Sequence, residues 1–187
     1  MEPDQSFHTT HRPFTLQEYD PAWVDEYNKR AEIIKKVFGD ELVEVQHIGS
    51  TSVPGMTAKP QIDILAVVKD FSKIESFYPA MNEAGFTPRG KGLNIGDEYF
   101  TEDAPGGKRI AGVHVYPYGD AARDRYLNFR DYLRSHKEER DLYSSTKKAV
   151  YGEHSGNYFD YVRGKDAVIV EIKQRAETWA KTNRESA

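Results

Sequence analysis

The sequence predicts a mixed α/β or α+β fold, with one mixed β-sheet, flanking helices and a helical C-terminal layer. Helix-like and strand-like segments alternate up to about residue 119, and the pattern from residue 120 onward is helical. The chain has 187 residues, of which 38% are hydrophobic and 12% aromatic, so it can bury one real core. We therefore expect a flexible tail over residues 1–13 and a single domain over 14–187, divided into an α/β core (14–119) and C-terminal helices (120–187).

The first helix and the first strand are indicated by a capping signal and by hydrophobic spacing. Asp20 and Pro21 have the form of an N-cap followed by proline at the first helical position. Apolar residues then recur at helical spacing until Gly39, and residues 42–48 have the composition of a strand.

Residues 61–68 predict an interior strand that carries one acid. Apolar side chains surround Asp63 on both faces of this strand, which is typical of a strand inside a sheet. Because a buried carboxylate is costly without a partner, Asp63 is either a functional group or is paired with a neighbour such as Lys59.

Capping and turn signals predict the elements that follow. Ser72 and Glu75 have the spacing of a capping box for a helix that ends at Gly85. Two strands, over residues 98–101 and 109–116, are joined by the turn-rich sequence DAPGG.

Three helices are predicted from residue 120 onward. The second is capped by Ser135 and Glu138 and reaches about Tyr151, and the last runs from about Gly164 to Ala180. The first helix carries arginines interleaved with acids, which predicts a solvated face: Arg123, Arg125, Arg130 and Arg134.

Composition excludes several classes of protein. The net charge of −4 lacks the basic excess of a dedicated DNA-binding domain. The chain has no cysteine, which excludes disulfides, thiolate metal sites and cysteine nucleophiles. The N-terminus lacks the apolar core of a signal peptide, and no apolar run approaches a membrane span, so we expect a soluble cytoplasmic protein.

The stretch HIGSTSVPGMTAKPQIDILAVV (47–68) carries the strongest functional signal. A strand that ends at Gly49 and Ser50 and leads into a turn presents backbone N–H groups and hydroxyls, which suit phosphate oxygens. If the two strands are neighbours, Asp63 points toward the same pocket. Because a carboxylate repels a phosphate unless a divalent metal lies between them, the pattern predicts a phosphate site with Asp63 as a metal ligand.

The same stretch resembles the GrpB family, a set of small proteins with the nucleotidyltransferase fold. The segments EYDPAW, VHVYPYG and FRDYLRSHKEERDLYSSTKK resemble that family too, so the resemblance covers nearly the whole chain from about Glu18. It implies an α+β fold: a nucleotidyltransferase-like mixed β-sheet flanked by helices, with a helical C-terminal layer.

The resemblance also implies a set of site residues. Enzymes of the nucleotidyltransferase superfamily hold nucleotide phosphates at the Gly-Ser turn and two divalent ions on an Asp-x-Asp/Glu pair plus a third carboxylate. Asp63 matches the first acid, but Leu65 stands at the position of the second. The resemblance therefore implies either that the protein binds Mg²⁺ or Mn²⁺ with fewer ligands, or that it has lost catalysis and still binds a nucleotide. The candidate metal ligands are Asp63, His114, Glu98 and His47, of which Asp63 and His114 are also the candidate catalytic residues.

The candidate substrate-binding residues are glycine, hydroxyl or lysine residues: Gly49, Ser50, Thr51, Ser52, Lys59, Lys91 and Lys165. Hydroxyls also fill ordinary turns, and lysines are often simply solvated. The loop RGKGLNIG (89–96) is either a lid over an anionic substrate or an ordinary loop beside a hairpin.

Three functions remain open at this point. The first is metal-dependent transfer of a nucleotidyl group, and the second is a non-catalytic module that binds a nucleotide or a precursor of coenzyme A. The third is an interaction domain that reuses the fold. Members of the GrpB family also occur fused to dephospho-CoA kinase, which implies a protein partner in CoA metabolism as one option. No nucleophile with an adjacent base is visible in the sequence, so covalent catalysis is not predicted.

Overall fold

The computed structural model describes residues 13–91 and 97–185. The predicted N-terminal tail lies outside this part except for Pro13, and so do residues 92–96 of the predicted lid. The described residues form a five-stranded mixed sheet with helices on both faces, followed by a helical layer, which confirms the predicted α+β class.

The elements have the following bounds. The strands are β1 (Leu42–Ile48), β2 (Ile62–Val68), β3 (Thr87–Lys91), β4 (Glu98–Asp103) and β5 (Arg109–Pro117). The helices are α1 (Ala22–Phe38), α2 (Tyr78–Glu83), α3 (Ala121–Ser135), α4 (Lys137–His154), α5 (Tyr158–Gly164) and α6 (Asp166–Glu185). Short 3₁₀ turns cover Gly39–Glu41, Ser50–Ser52 and Phe71–Phe77.

The strands are arranged in the order β1-β2-β5-β4-β3, so β2 is an interior strand as its composition predicts. Strand β2 runs parallel to β5, and the other neighbouring pairs are antiparallel. The register places Asp63 between Ile48 of β1 and Gly112 of β5. The end of β1, and with it Gly49, is therefore brought directly beside Asp63.

The two faces of the sheet have different partners. Ile64 and its same-face neighbours in β2 and β5 pack against Ile34 and Phe38 of α1 and Met81 of α2. Leu65 and Val67 point to the opposite face and pack near Ala122 at the start of α3. Asp63 shares the α3 face with Leu65 because successive side chains of a strand alternate. The acid therefore points toward the C-terminal helices.

The segment after β2 differs from the predicted continuous helix. Residues Phe71–Phe77 form a 3₁₀ turn capped by Asp70, whose carboxylate accepts hydrogen bonds from the backbone N–H (3.1 Å) and hydroxyl (2.6 Å) of Ser72. The α-helix begins only at Tyr78, with Pro79 in its first turn. Proline lacks an N–H and blocks a helix that approaches from its N-terminal side, so the helix starts at the proline instead of running through it.

The C-terminal layer contains one more helix than predicted within the described residues. Asn157 caps the short helix α5 by accepting hydrogen bonds from the N–H groups of Phe159 (3.0 Å) and Asp160 (3.2 Å). Lys165 lies between α5 and α6. No helix within residues 13–91 and 97–185 has the length and apolar character needed to cross a membrane.

Candidate functional site

A cavity of about 160 Å³ lies between the sheet and the C-terminal helices, beside the turn that follows β1. The core contributes Gly49, Ser50, Thr51, Lys59, Gln61 and Asp63, and the helices contribute Phe129, Tyr143, Lys147, Tyr161 and Lys165. A larger, open groove of about 560 Å³ lies between α3 and α6, but it contains none of the predicted site residues. The smaller cavity is therefore the candidate site.

Six of the residues predicted from the sequence line this one cavity: Gly49, Ser50, Thr51, Lys59, Asp63 and Lys165. Five of them come from the stretch 49–63, and Lys165 comes from the C-terminal helices about 100 residues later. Their convergence is the geometric condition that the predicted phosphate site requires.

Gly49 and Asp63 are in direct contact. The backbone of Gly49 has φ +70° and ψ −174°, a region that is essentially restricted to glycine. A Cβ atom at this position would lie 2.6 Å from Oδ2 of Asp63. The side-chain amide of Gln61 donates a hydrogen bond to Oδ1 of the same carboxylate at 2.7 Å. The acid is thus held between Gln61 and the turn.

Ser52 stabilises the turn through hydrogen bonds. Its N–H (3.2 Å) and its hydroxyl (2.6 Å) both donate to the carbonyl oxygen of Gly49. The carbonyl oxygen of Ser52 accepts hydrogen bonds from Nε (3.0 Å) and Nη2 (2.7 Å) of Arg134. Ser52 therefore supports the turn and does not line the cavity, although the sequence marked it as a candidate for substrate binding.

The arginines of α3 form only in part the solvated face that the sequence predicts, because three of them also bind the core. Arg130 donates to the side chain of Gln46 (3.0 Å) and to the carbonyl oxygen of His47 (3.1 Å). Arg123 pairs with Glu44 at 2.5 Å, and Arg134 binds the turn as described above. Arg125 and Arg134 are exposed, whereas Arg123 and Arg130 are partly buried. Interleaved acids do not reveal these contacts, because the partners lie about 80 residues earlier in the chain.

Three lysines surround the cavity. Lys59 donates a hydrogen bond to the hydroxyl of Tyr158 at 2.9 Å. Nζ of Lys147 lies 3.1 Å from Oγ of Ser50 and 4.3 Å from the ring centroid of Tyr143. Among the described residues, none of Lys59, Lys147 and Lys165 forms an ion pair with a carboxylate. The cavity is thus lined by three lysines and by one acid, Asp63.

Burial and mutual repulsion change the ionisation of these lysines. Burial, reinforced by the positive charges of Lys165 and Lys59, lowers the pKa of Lys147 well below its ordinary value of 10.5. Burial also lowers the pKa of Lys165 to about 8, with a further contribution from Lys59. An unpaired buried cation is unfavourable, so this cavity gains free energy when an anion enters it.

Two predicted metal ligands lie on the wrong face of the sheet for a site with Asp63. His47 stacks on Tyr27 of α1, with ring centroids 4.7 Å apart, and its Nε2 lies 3.0 Å from Oγ1 of Thr51. Burial lowers the pKa of His47 to about 4, so its ring is neutral. Glu98 accepts a 2.5 Å hydrogen bond from the hydroxyl of Tyr78, and burial raises its pKa. Strand alternation separates both from Asp63.

His114 and Lys91 lie away from the cavity. His114 is on the same sheet face as Asp63, but its Nδ1 lies 2.8 Å from Oδ2 of the fully buried Asp97, and it does not line the cavity. Lys91 is the last residue of β3, which is the edge strand at the other end of the sheet. The structure does not bring either side chain to the Gly49 turn.

A two-metal site does not fit the residues at the cavity. Asp63 is the carboxylate that lines it, and among the described residues no three histidine or acidic side chains gather as metal ligands do. Leu65, at the position of the second acid, is buried in the sheet. Three lysines in the lining further disfavour a divalent cation there.

The structure also adds residues that sequence reasoning missed. Lys147 is the most important, since it is only 2% exposed and contacts the turn. The sequence carried one signal for it: Tyr143, Lys147 and Val150 follow helical spacing, so a lysine occupies a position on the buried stripe of α4. A cation within an apolar stripe indicates a buried amine.

The fold and the cavity together define an α+β protein with a cationic pocket at a Gly-Ser turn. The family model described as GrpB protein matches residues 13–175. The chain therefore belongs to the GrpB family.

Relatives of this chain include the UPF0157 protein YqkA of Bacillus subtilis, with 37% identity over 163 residues. That match covers 87% of this chain but 47% of YqkA, so the chain spans about half of that relative. The crystal structure of the conserved protein GrpB from Enterococcus faecalis superposes with a TM-score of 0.82 at 32% identity, over 88% of this chain and 99% of that one.

Two further similarities are more distant. A dephospho-CoA kinase of Mycobacterium tuberculosis is 26% identical over 194 residues, which cover 90% of this chain and 47% of that protein. A cytoplasmic RNA terminal U-transferase matches over 72% of this chain and 43% of its own, with a TM-score of 0.40 at 11% identity. A likeness at that level carries no argument about function.

Proposed function

We propose that this protein binds a phosphorylated small molecule, with the phosphate groups in the cavity at the Gly49 turn. The observation that carries the proposal is the set of cavity lysines, none of which forms an ion pair with a carboxylate of the described residues. Lys59 and Lys165 supply positive charge, and Ser50 and Thr51 supply hydroxyls at the cavity wall. Charge-assisted hydrogen bonds of this kind are the strong contacts in phosphate recognition.

The size of the cavity limits which part of the ligand it holds. Its volume of about 160 Å³ is smaller than the ~300–1,000 Å³ of pockets that enclose a whole drug-sized molecule. It suits a phosphate group and the few atoms bonded next to it, while the rest of the ligand lies outside. A nucleotide or a precursor of coenzyme A meets this description, and the similarity to a dephospho-CoA kinase supports the second.

Metal-dependent nucleotidyl transfer is the second candidate, and the contact of Asp63 with Gly49 favours it. In that case a Mg²⁺ or Mn²⁺ ion bound by Asp63 and by phosphate oxygens screens the repulsion between the two anions. The two candidates make opposite predictions for the removal of the acid.

The test is a thermal-shift titration of the wild type and Asp63→Asn with pyrophosphate, ATP and dephospho-CoA, each with Mg²⁺ and with EDTA. We expect pyrophosphate to raise the Tm of the wild type in EDTA, since a ligand that binds only the folded state stabilises it by mass action. Asp63→Asn removes a negative charge and keeps an acceptor for Gln61. We therefore expect the variant to bind pyrophosphate more tightly, by about tenfold.

The opposite pattern contradicts metal-independent binding. If the wild type responds only with Mg²⁺ and Asp63→Asn does not respond at all, the acid binds a metal and the enzyme candidate is favoured. The absence of any shift at millimolar pyrophosphate, with and without Mg²⁺, overturns both candidates.

A further inference from the structure

Ser50 and Lys147 are placed as a nucleophile and its base. Ser50 lies in the turn after Gly49, and its hydroxyl oxygen is 3.1 Å from the ε-amine of Lys147. Both residues line the cavity, so a ligand can reach the hydroxyl. This pair joins two residues that are 97 positions apart, which is why the sequence alone does not show it.

The surroundings of Lys147 favour the neutral amine. Lys59 and Lys165 lie on the same cavity and repel a third positive charge. Tyr143 presents its ring 4.3 Å from the amine. Asp63 lies across the cavity and forms no ion pair with Lys147. Burial and the positive charges of Lys165 and Lys59 lower the pKa of Lys147, and a neutral amine has the lone pair that accepts the hydroxyl proton of Ser50.

We propose that Ser50 and Lys147 form a catalytic dyad that hydrolyses the acyl ester of a phosphate-bearing molecule. The phosphate part of this assignment rests on the proposed function, because Lys59 and Lys165 hold the anionic group while the ester carbonyl reaches Ser50. Ser-Lys pairs are known as convergent variants of serine catalysis on unrelated folds.

The reaction requires only the residues of the cavity, the ester and one water molecule. Oγ of Ser50 forms a bond to the carbonyl carbon, and its proton passes to the amine of Lys147. The tetrahedral intermediate breaks its bond to the leaving alcohol, which takes the proton back from Lys147. A water molecule then gives a proton to Lys147 and attacks the acyl-serine. The bond from the carbonyl carbon to Oγ breaks, Oγ takes the proton back from Lys147, and the carboxylic acid is released.

The experiment uses a fluorophosphonate probe, which reacts with activated serines. Oγ of Ser50 bonds to phosphorus, the P–F bond breaks, fluoride leaves, and Lys147 takes the hydroxyl proton. Intact-mass and peptide mass spectrometry should locate one adduct on Ser50 in the full chain. We expect Ser50→Ala to abolish the adduct and Lys147→Met to slow its formation by about 100-fold or more, the usual loss when a general base is removed.

Matched variants on α4 serve as controls. Ser145 and Lys148 lie three residues apart on α4 and outside the cavity, so Ser145→Ala and Lys148→Met should react at the wild-type rate. Lys147→Arg keeps a long cationic side chain but holds its proton at all accessible pH values, so it should also be slow. In the wild type the labelling rate should rise with pH through the titration of Lys147 and then level off.

The outcomes separate this proposal from the proposed function. If pyrophosphate raises the Tm but no adduct forms, or if Ser50→Ala is labelled as fast as the wild type, the dyad is refuted while phosphate binding stands. If Ser50 is labelled and pyrophosphate neither binds nor slows the labelling, the dyad stands and the phosphate-bearing substrate is refuted.

Discussion

Substitution of Gly49 by alanine is expected to lower the free energy of unfolding by about 2–6 kcal/mol. Two effects add at this position. The φ of +70° with ψ of −174° lies in a region essentially restricted to glycine, where another residue costs about 1–3 kcal/mol. The new Cβ atom would also lie 2.6 Å from Oδ2 of Asp63, and overpacking of this kind costs about 1–3 kcal/mol.

The measurement is urea unfolding of Gly49→Ala beside a control at another glycine. Gly152 lies within α4, and a Cβ atom there meets nothing within 4 Å. Gly152→Ala should therefore stabilise the protein by about 0.5–1 kcal/mol, the usual gain of alanine over glycine in a helix. The double variant Gly49→Ala/Asp63→Ala should recover only the part of the loss that is due to the contact. A loss below about 0.5 kcal/mol in Gly49→Ala would contradict the described turn.

The substitution Lys147→Met is expected to stabilise the ligand-free protein by about 1–2 kcal/mol while removing the reactivity of Ser50. Methionine fills a similar volume and carries no charge to desolvate, and replacement of buried charges by apolar side chains is often stabilising. The gain is reduced by the loss of the contact with Ser50 and the cation–π contact with Tyr143. For a chain of this size it corresponds to a rise in Tm of about 2–8 °C.

The pH dependence of stability provides a second readout for this variant. The unfolded chain binds a proton at Lys147 up to about pH 10.4, whereas the pKa in the folded protein is much lower. The burial of Lys147 destabilises the folded protein by its full amount at pH values below the folded pKa of this lysine. The destabilisation decreases as the pH rises toward the unfolded pKa, because the unfolded chain binds more protons in that interval. The wild type should therefore gain stability relative to Lys147→Met as the pH rises from neutral toward about 10.4, the pKa of an unfolded lysine.

A variant of a surface lysine serves as the control, since it shows what the loss of a positive charge does to stability when the lysine is not buried. Lys148, the next residue along, is 53% exposed and pairs with Glu18. Lys148→Met should leave stability unchanged or slightly lower, by less than about 1 kcal/mol. Equal destabilisation of both variants at every pH would show that Lys147 is not a strained buried amine.

Sequence reasoning predicted the part of the site that local patterns encode. The Gly-Ser turn, the interior strand with Asp63 and the alternation of its faces all follow from spacing within about 20 residues of chain. The position of His47 was not predictable in the same way. His47 was expected beside Asp63, but its side chain points to the opposite face of the sheet. That assignment requires the register between β1 and β2 and the docking of α1 on His47.

The contribution of the C-terminal helices could not be predicted because it depends on how they pack on the core. Lys147 reaches Ser50 across 97 residues, and Arg134 reaches the carbonyl oxygen of Ser52 across 82. The spacing of these residues does not identify the partner in either contact. A lysine on the buried stripe of α4 was the visible signal, and it indicated burial without naming the partner.

Isothermal titration of pyrophosphate into the wild type and the double variant Lys59→Gln/Lys165→Gln, in EDTA and near pH 7, tests the central claim most directly. At this pH Lys165, with its pKa of about 8, still carries its charge. Binding with a Kd below about 1 mM is expected for the wild type. The double variant should bind about 100-fold more weakly or not measurably, since each charge-assisted hydrogen bond contributes about 1.5–3 kcal/mol. Lys148→Gln should match the wild type. Equal binding by the wild type and the double variant, or no binding by the wild type, would contradict the claim that these lysines hold a phosphate at the Gly49 turn.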